Sequence, residues 1–428
     1  MRVAHAISAS EGIATVFSGN LPLTRPRKSR CLYKFDQVVE SHELRIVQVE
    51  AIHQDHRHCF FTTSEKFEVR SAEQQSLQSS SRLRNLPGYG RGRIASFPAG
   101  TARLGSNENS IPPSEQTVEQ ASNALTELNR YPDLRGESLS AALAELHGLR
   151  IENVAVSAGS VVMLDLLVRA YCDAGDDVLT AWPSYEAYPI IAGGQGCSLT
   201  KIPLTQEQGV DLDAIVASIS DRTRIVLICN PNNPTGTAVS LQEIDRILNE
   251  IPKDRLVILD EAYAEYNPSR LSDISNALAE HSNLAVLRTF SKAYGLAGMR
   301  IGYCLASSDI IDAVQALQPP FPLPTPALTA AISAVGEQQS LAEHIASNEV
   351  ERRRLTDELR AIGLSVADSY ANFVFLPLGE ESQAFSNALS QDGIVTRCFP
   401  GDGVRITIAT SEDSMRVIEA AGRWFNSK

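Results

Sequence analysis

The chain has little that would mark it as a membrane or nucleic-acid-binding protein. None of its apolar stretches approaches the ~20 residues needed to span a bilayer, although 43% of the 428 residues are hydrophobic. Positive charge is in deficit. The 38 lysines and arginines stand against 51 aspartates and glutamates, a net charge of −13, whereas a nucleic-acid binder needs a basic surface. No CxxC pair occurs. The seven cysteines (Cys31, Cys59, Cys172, Cys197, Cys229, Cys304 and Cys398) are odd in number and scattered. That usage suggests reduced thiols in a cytosol-like compartment rather than disulfides or a zinc site. At this length a single small core is excluded, and two folded lobes are expected.

What is present between about residues 154 and 305 is an alternation of buried-strand runs and helical patterns. It predicts an α/β fold with a mostly parallel, doubly wound sheet. The proline-rich stretch 319–326 breaks the pattern and reads as a stiff segment crossing the active site, with an ordinary linker as the alternative. Helical patterns follow at 327–337 and 341–361. Strands at 372–377, 394–398 and 404–409 and a helix at 411–425 then build a smaller α+β domain.

Chemistry concentrates at the ends of strand-like runs. The run 289–300 (TFSKAYGLAGMR) sets Lys292 beside the hydroxyl of Ser291, with Arg300 eight residues further on. A lysine amine can form a Schiff base with an aldehyde cofactor, and a serine with an arginine fork suits a phosphate monoester. Taken alone, the run could be solvated surface. Two upstream segments change this. NPNNPTG at 230–236 follows the apolar run 225–229, and DEAY at 260–263 follows 256–259. Open α/β sheets bind ligands just beyond the carboxyl ends of their strands. Asp260 there can face a pyridine nitrogen, while Asn233 and Tyr263 can donate to a phenolic oxygen. Each has a plain alternative, a turn for the asparagine loop and a helix cap for Asp260. The three segments in this order argue against coincidence.

These motifs resemble the fold-type I, pyridoxal 5'-phosphate-dependent aminotransferases, in the branch of histidinol-phosphate and aromatic amino acid aminotransferases. The resemblance runs from about Leu83 to the C-terminus. It implies that Lys292 carries the cofactor and shuttles the proton, and that Asp260 pairs with the pyridinium. Asn233 and Tyr263 bind the ring oxygen, and Ser291 and Arg300 hold the phosphate. Gly159 and Ser160, opening a helix read at 161–172, match the family's phosphate cup, a natural use of a helix N-terminus. Tyr185 matches the aromatic that stacks on the ring. Tyr131 matches a tyrosine that reaches the partner subunit's cofactor phosphate, which implies a homodimer with shared sites. Arg405 matches the arginine that pairs with the substrate's carboxylate or phosphate. Arg397 is a weaker candidate for the same anion region, and Asn107, in the early asparagine motif, is expected to bind the substrate. No metal is implied.

The resemblance further implies two-step, ping-pong transamination between amino and keto acids, with 2-oxoglutarate as acceptor. The donor is less sharply drawn. Histidinol-phosphate enzymes usually continue their asparagine motif as Asn-Glu-Asn-Pro-Tyr-Gly. Here it reads Asn107, Glu108, Asn109, Ser110, Ile111, so the tyrosine that helps hold a substrate phosphate is missing. The cup also reads Gly159-Ser160-Val161 where an acidic pair is usual. An aromatic L-amino acid donor is therefore expected, with histidinol phosphate as the alternative. A decarboxylase or a cofactor-sensing regulator of transcription are remoter ones.

The expected division is an N-terminal extension at 1–82, an arm with part of the small domain at 83–150, a cofactor-binding large domain at 151–318 and a small domain at 319–428. The extension holds five of the eight histidines, and His53, His56 and His58 lie near Cys59. With no second ligand cluster, a flexible polar segment is the expected reading rather than a metal site. Residues 1–34 are rich in arginine and serine with Glu11 their single acid. The bias resembles a transit peptide, so a cytoplasmic protein and an organellar import signal both stay open, as does a start placed too far upstream.

Overall fold

The computed structural model describes residues 79–84, 86–88, 97–271 and 273–428 in full, and three strands N-terminal to them. Those strands (Leu32–Ser41, Leu44–Ile52 and Phe67–Val69) pair antiparallel as a sheet of their own. They belong to a compact unit separate from the one formed by Ser80–Lys428. His53, His56, His58, Cys59 and residues 1–31 lie outside the described residues.

The large lobe is a seven-stranded sheet. In chain order its strands are β1 (Val154–Ser157), β2 (Asp177–Trp182), β3 (Ser198–Pro203), β4 (Thr223–Cys229), β5 (Leu256–Asp260), β6 (Leu284–Thr289) and β7 (Gly302–Ala306). Their spatial order is β1-β7-β6-β5-β4-β2-β3. Every neighbouring pair is parallel except the two made by β7, which runs antiparallel to β1 and β6. The expected α/β class and mostly parallel sheet are what the chain adopts.

Both faces are covered, which is why these strands read as continuous apolar runs rather than alternating ones. Side chains of period two divide between two cores. Val226, Ile228, Val257, Leu259, Leu284 and Val286 enter one. Ile225, Leu227, Leu256, Ile258, Ala285 and Leu287 enter the other, with Met163, Leu164, Leu167 and Tyr188. This parity aims the site: Asp260 follows Leu256 and Ile258 onto the face that carries Tyr188.

The smaller lobe is an antiparallel sheet in which Gly403–Thr407 lies between Phe373–Leu376 and Arg397–Phe399. Helices Gln338–Ile362, Ser382–Gln391 and Ser411–Asn426 pack on it around Leu355, Leu359, Phe385, Leu389, Val417 and Ala421. Two expectations change here. The single strand read at 394–398 is two: Ile394–Val395 pairs with Ala102–Arg103, while Arg397–Phe399 joins the antiparallel sheet. Helix Thr325–Gly336, which follows the proline-rich stretch, buries Ala327, Leu328, Ala330 and Ala331 in the large-lobe core, where Leu139 and Leu143 also pack. Among the described residues no helix is long and apolar enough to cross a membrane.

Gly302 opens β7 directly under the N-terminus of helix Ser160–Tyr171. A Cβ there would lie 2.0 Å from the Ser160 nitrogen and 2.6 Å from the Gly159 carbonyl carbon. Backbone cannot yield as a side chain can, so Gly302→Ala is expected to lose about 3 kcal/mol or more. Gly336→Ala, with nothing within 4 Å of the added methyl, is expected to gain up to about 1 kcal/mol. Urea midpoints of the two variants check this; equal midpoints would contradict the packing described.

Candidate active site

The carboxyl ends of β4, β5 and β6 open onto a cavity of about 720 Å³. Segment 105–108 and the small-lobe strands close it from the other side. The loop after β6 contributes Ser291 and Lys292, the loop after β4 contributes Asn233, and β5 contributes Asp260 with Tyr263 just beyond it.

Asp260 sits at the floor, 6% exposed. Its Oδ2 accepts from the Tyr188 hydroxyl at 2.7 Å, and its Oδ1 accepts from the Ala262 backbone at 3.2 Å. Burial raises its pKa, while those two hydrogen bonds work against the rise. A buried carboxylate so placed favours a cationic partner. Tyr263 is buried against Phe373, ring edge to face at 5.1 Å. Its hydroxyl accepts from Asn107 Nδ2 at 2.9 Å, and burial raises its pKa.

Lys292 turns its amine inward, where Nζ donates to the carbonyls of Ser106 at 3.0 Å and Asn107 at 3.2 Å. Burial, aided by the Arg405 and Arg300 guanidiniums, pushes the amine down to about 7. Glu108 acts in the opposite direction. The result is a lysine that holds its proton weakly, as a nucleophile or general base requires.

Asn107 ties this arrangement together. Its left-handed backbone (φ 54°) is one that asparagine tolerates better than most residues. Its amide nitrogen and Oδ1 both meet the Thr407 hydroxyl at 3.0 Å, and its carbonyl also accepts from Asn372 at 3.2 Å. It is fully buried. Sequence reading placed it with the substrate; here its side chain orients Tyr263 and its carbonyl holds Lys292.

At the other end of the cavity, Arg300 donates to the Ser291 hydroxyl at 3.4 Å and to the Ala297 carbonyl at 3.0 Å. Gly159 (φ 92°) precedes helix Ser160–Tyr171. A Cβ on it would come within 2.8 Å of Arg300 Nη2, so glycine keeps this corner open. Tyr185 lines the wall and meets Tyr188 edge-on at 5.5 Å.

Two arginines from the small lobe complete the lining. Arg397 and Arg405 face one another as direct cross-strand partners, a pairing of like charges that is unfavourable unless each is compensated. Arg405 donates to Asn233 Oδ1 and, at 2.6 Å, to the Gly105 carbonyl. Arg397 forms a fork with the Glu186 carboxylate, Nη2 at 2.6 Å and Nε at 3.1 Å.

Of the residues read from sequence, Asn107, Ser160, Tyr185, Asn233, Asp260, Tyr263, Ser291, Lys292, Arg300, Arg397 and Arg405 line this one cavity, with Gly159 at its edge. Tyr131 does not. It is 82% exposed and stacks on Phe321 at 4.5 Å. The proline-rich stretch sends no side chain to the cavity wall; the Phe321 amide is held instead by the Leu134 carbonyl at 2.8 Å. Sequence reading missed Tyr188, Thr407, Asn372 and Glu186. Thr407 alone carried a signal, since it lies two residues from Arg405 and so on the same face of the strand.

The family described as aminotransferase class I and II matches residues 100–420. A curated aromatic amino acid aminotransferase of Rhodococcus jostii (strain RHA1) is 44% identical over 326 residues, covering 76% of this chain and 90% of that one. Another, of Streptomyces coelicolor (strain ATCC BAA-471 / A3(2) / M145), is 42% identical over 332 residues, covering 77% and 92%. Among solved structures, the histidinol-phosphate aminotransferase of Sinorhizobium meliloti in complex with pyridoxal-5'-phosphate is similar at a TM-score of 0.71. Its identity is 28% over 76% of this chain and 91% of that one.

The folded value for Lys292 lies below its ordinary 10.5. The cofactor-free folded state therefore binds fewer protons than the unfolded chain between about pH 7 and 10, and its stability rises with pH across that window. The direct check is the rate at which an amine-selective reagent modifies Lys292 in cofactor-free protein, read by peptide mass spectrometry. A midpoint near pH 7 is expected, and one near pH 10 would contradict the environment described.

Proposed function

The chain belongs to the class I and II aminotransferases, and from that premise we propose that it moves the amino group of an aromatic L-amino acid to 2-oxoglutarate, in two half-reactions on pyridoxal 5'-phosphate. One observation carries the reading: the Lys292 amine and the Asp260 carboxyl face a single cavity whose third corner is Gly159, Ser291 and Arg300. The aromatic donor is supported by the named activity of the relatives at 40–44% identity.

The residues present fit the cofactor. Asp260 is a buried acid suited to a ring cation. The corner at Gly159 is one that a methyl group would fill, and Arg300 with the helix N-terminus suits a phosphate. When bound, the cofactor supplies an aldehyde that takes up an amine and a protonated ring that draws electrons from the substrate's α-carbon. Asp260 keeps the proton on the ring nitrogen. Tyr188, donating to Asp260 Oδ2, orients the carboxylate. Asn233 and Tyr263 hold the ring oxygen; because Tyr263 accepts from Asn107, its own proton remains to be given. Tyr185, on the cavity wall, would stack on the ring. Lys292, whose amine burial pushes down to about 7, would hold the cofactor through its aldehyde and move the proton at the substrate's α-carbon. Arg405 receives the substrate carboxylate, and its bond to Asn233 couples that carboxylate to the ring oxygen.

On this reading the protein is a homodimer in which the exposed Tyr131 reaches the partner's phosphate. The boundaries at 82 and 150 also stand as a proposal, whereas helix Thr325–Gly336, beyond the boundary expected at 318, packs in the large-lobe core. The free cysteines among the described residues accord with a reducing, cytoplasmic setting. The adjacent arginines favour one other donor, histidinol phosphate.

Two experiments test this. The holoenzyme is mixed separately with L-phenylalanine and L-histidinol phosphate, and conversion of the cofactor to its amine form is followed by absorbance. Phenylalanine is expected to react at least about tenfold faster, a difference of ~1.4 kcal/mol; a faster reaction with histidinol phosphate would overturn the donor assignment. Lys292→Ala is expected to keep cofactor non-covalently and to lose about 10⁴-fold or more in turnover. A loss below tenfold would remove Lys292 from the chemistry.

A further inference from the structure

Away from the cavity, one polar cluster joins two crossovers of the large lobe. Asp245 lies on helix Leu241–Glu250, between β4 and β5. Glu280 ends helix Ile274–Glu280, between β5 and β6, and His281 follows it directly. Both helices enter the same core, one through Ile244, Ile247 and Leu248 and the other through Ile274, Ala277 and Leu278. That packing gathers the three polar side chains, and one donor atom from each lies within 4.8 Å of the other two.

His281 sets this cluster apart from a plain acidic patch. It is 2% exposed, yet its Nε2 has no hydrogen-bond partner among the described residues. Asp245 Oδ1 lies 3.7 Å from it, too far for a hydrogen bond. A buried polar atom without a partner is costly, and this one faces the Asp245 carboxylate. Both acids are exposed. They are therefore free to close to the roughly 3.4 Å that separates ligand atoms around a four-coordinate zinc.

The donor set is one imidazole nitrogen and two carboxylates, whose two negative charges match a dication. Calcium and magnesium prefer oxygen alone, whereas imidazole with carboxylate suits a borderline cation such as zinc. Three protein ligands leave a further position to water. Arg246, beside Asp245 in the chain, is turned to Asp213 and Glu250. Lys253 is the opposing charge: its Nζ meets His281 Nδ1 at 2.9 Å and donates to the Leu248 carbonyl at 3.3 Å. A metal on Nε2 puts the ring hydrogen on Nδ1. The Lys253 ammonium must then leave the ring and keep the carbonyl.

We propose that Asp245, Glu280 and His281 bind a divalent first-row transition cation of the zinc type. The site lies where β5 and β6 begin, at the opposite end of the sheet from the cavity. There the Asn283 carbonyl accepts from the Val257 amide, and Asn283 Nδ2 donates to the Arg255 carbonyl at 2.8 Å. At their far ends the same strands carry Asp260 and lead to Lys292. A bound cation clips together the crossovers that set these strands side by side, so it stabilises the lobe and takes no part in the reaction.

The test is zinc binding to the full-length holoenzyme by titration calorimetry, with urea midpoints measured with and without zinc. Any zinc taken by His53, His56, His58 or Cys59 is common to all variants, so the site is read by difference. The wild-type protein is expected to bind one more zinc per chain than Asp245→Asn, Glu280→Gln or His281→Gln. Zinc is also expected to raise its urea midpoint by a step that each variant lacks. Asp245→Asn alters an exposed side chain, so its zinc-free midpoint is expected to match that of the wild type. Lys253→Gln is expected to tighten binding at least about threefold, because the competing ammonium is gone. Equal zinc binding in the wild type and Asp245→Asn would overturn the proposal, as would unchanged or weaker binding in Lys253→Gln. Calcium or magnesium held at this site as tightly as zinc would overturn the assigned class of cation.

Discussion

The contact on which the rest depends is the Lys292 amine resting on the carbonyls of Ser106 and Asn107. It brings the loop after β6 against a segment that the small lobe holds through Thr407 and Asn372. The amine meets backbone oxygen rather than a carboxylate, so nothing nearby fully compensates its charge. Burial and two guanidiniums then act together against the proton. A carboxylate partner in the same place would have held the lysine charged and chemically quiet. The left-handed turn at Asn107 is what presents its carbonyl to the amine while its side chain reaches Tyr263.

The charges around the cavity follow a consistent logic. Asp260 lies at the floor, where the Tyr188 hydroxyl and the Ala262 amide donate to its two oxygens. Arg300 lies at the glycine corner, where a Cβ on Gly159 would come within 2.8 Å of its Nη2. Arg405 donates to Asn233 Oδ1 and to the Gly105 carbonyl. Arg397 is compensated by the Glu186 carboxylate.

Much of this was legible in the sequence because it is local. The strands betray themselves as apolar runs buried on both faces, and ligand-bearing residues gather at their carboxyl ends, so Asn233, Asp260 and Lys292 could be placed without coordinates. What escaped depends on distant parts of the chain. Tyr188 reaches Asp260 across 72 residues, and Thr407 and Asn372 reach Asn107 across 300 and 265. The strand read at 394–398 divides because Val395 and Arg397 pair with different partners, a choice that periodicity cannot express. The proline-rich stretch looked like a cover for the site because it is apolar and stiff. Its Phe321 stacks on Tyr131 instead.

The central claim is that Lys292 is the amine that takes up the cofactor, and chemical trapping tests it most directly. The protein is loaded with pyridoxal 5'-phosphate, reduced with borohydride, digested and mapped by mass spectrometry. The expected result is a single pyridoxyl label, on the peptide that carries Lys292. A label on Lys201, Lys253 or Lys428 in its place, or firmly bound cofactor with no label at all, would contradict the account.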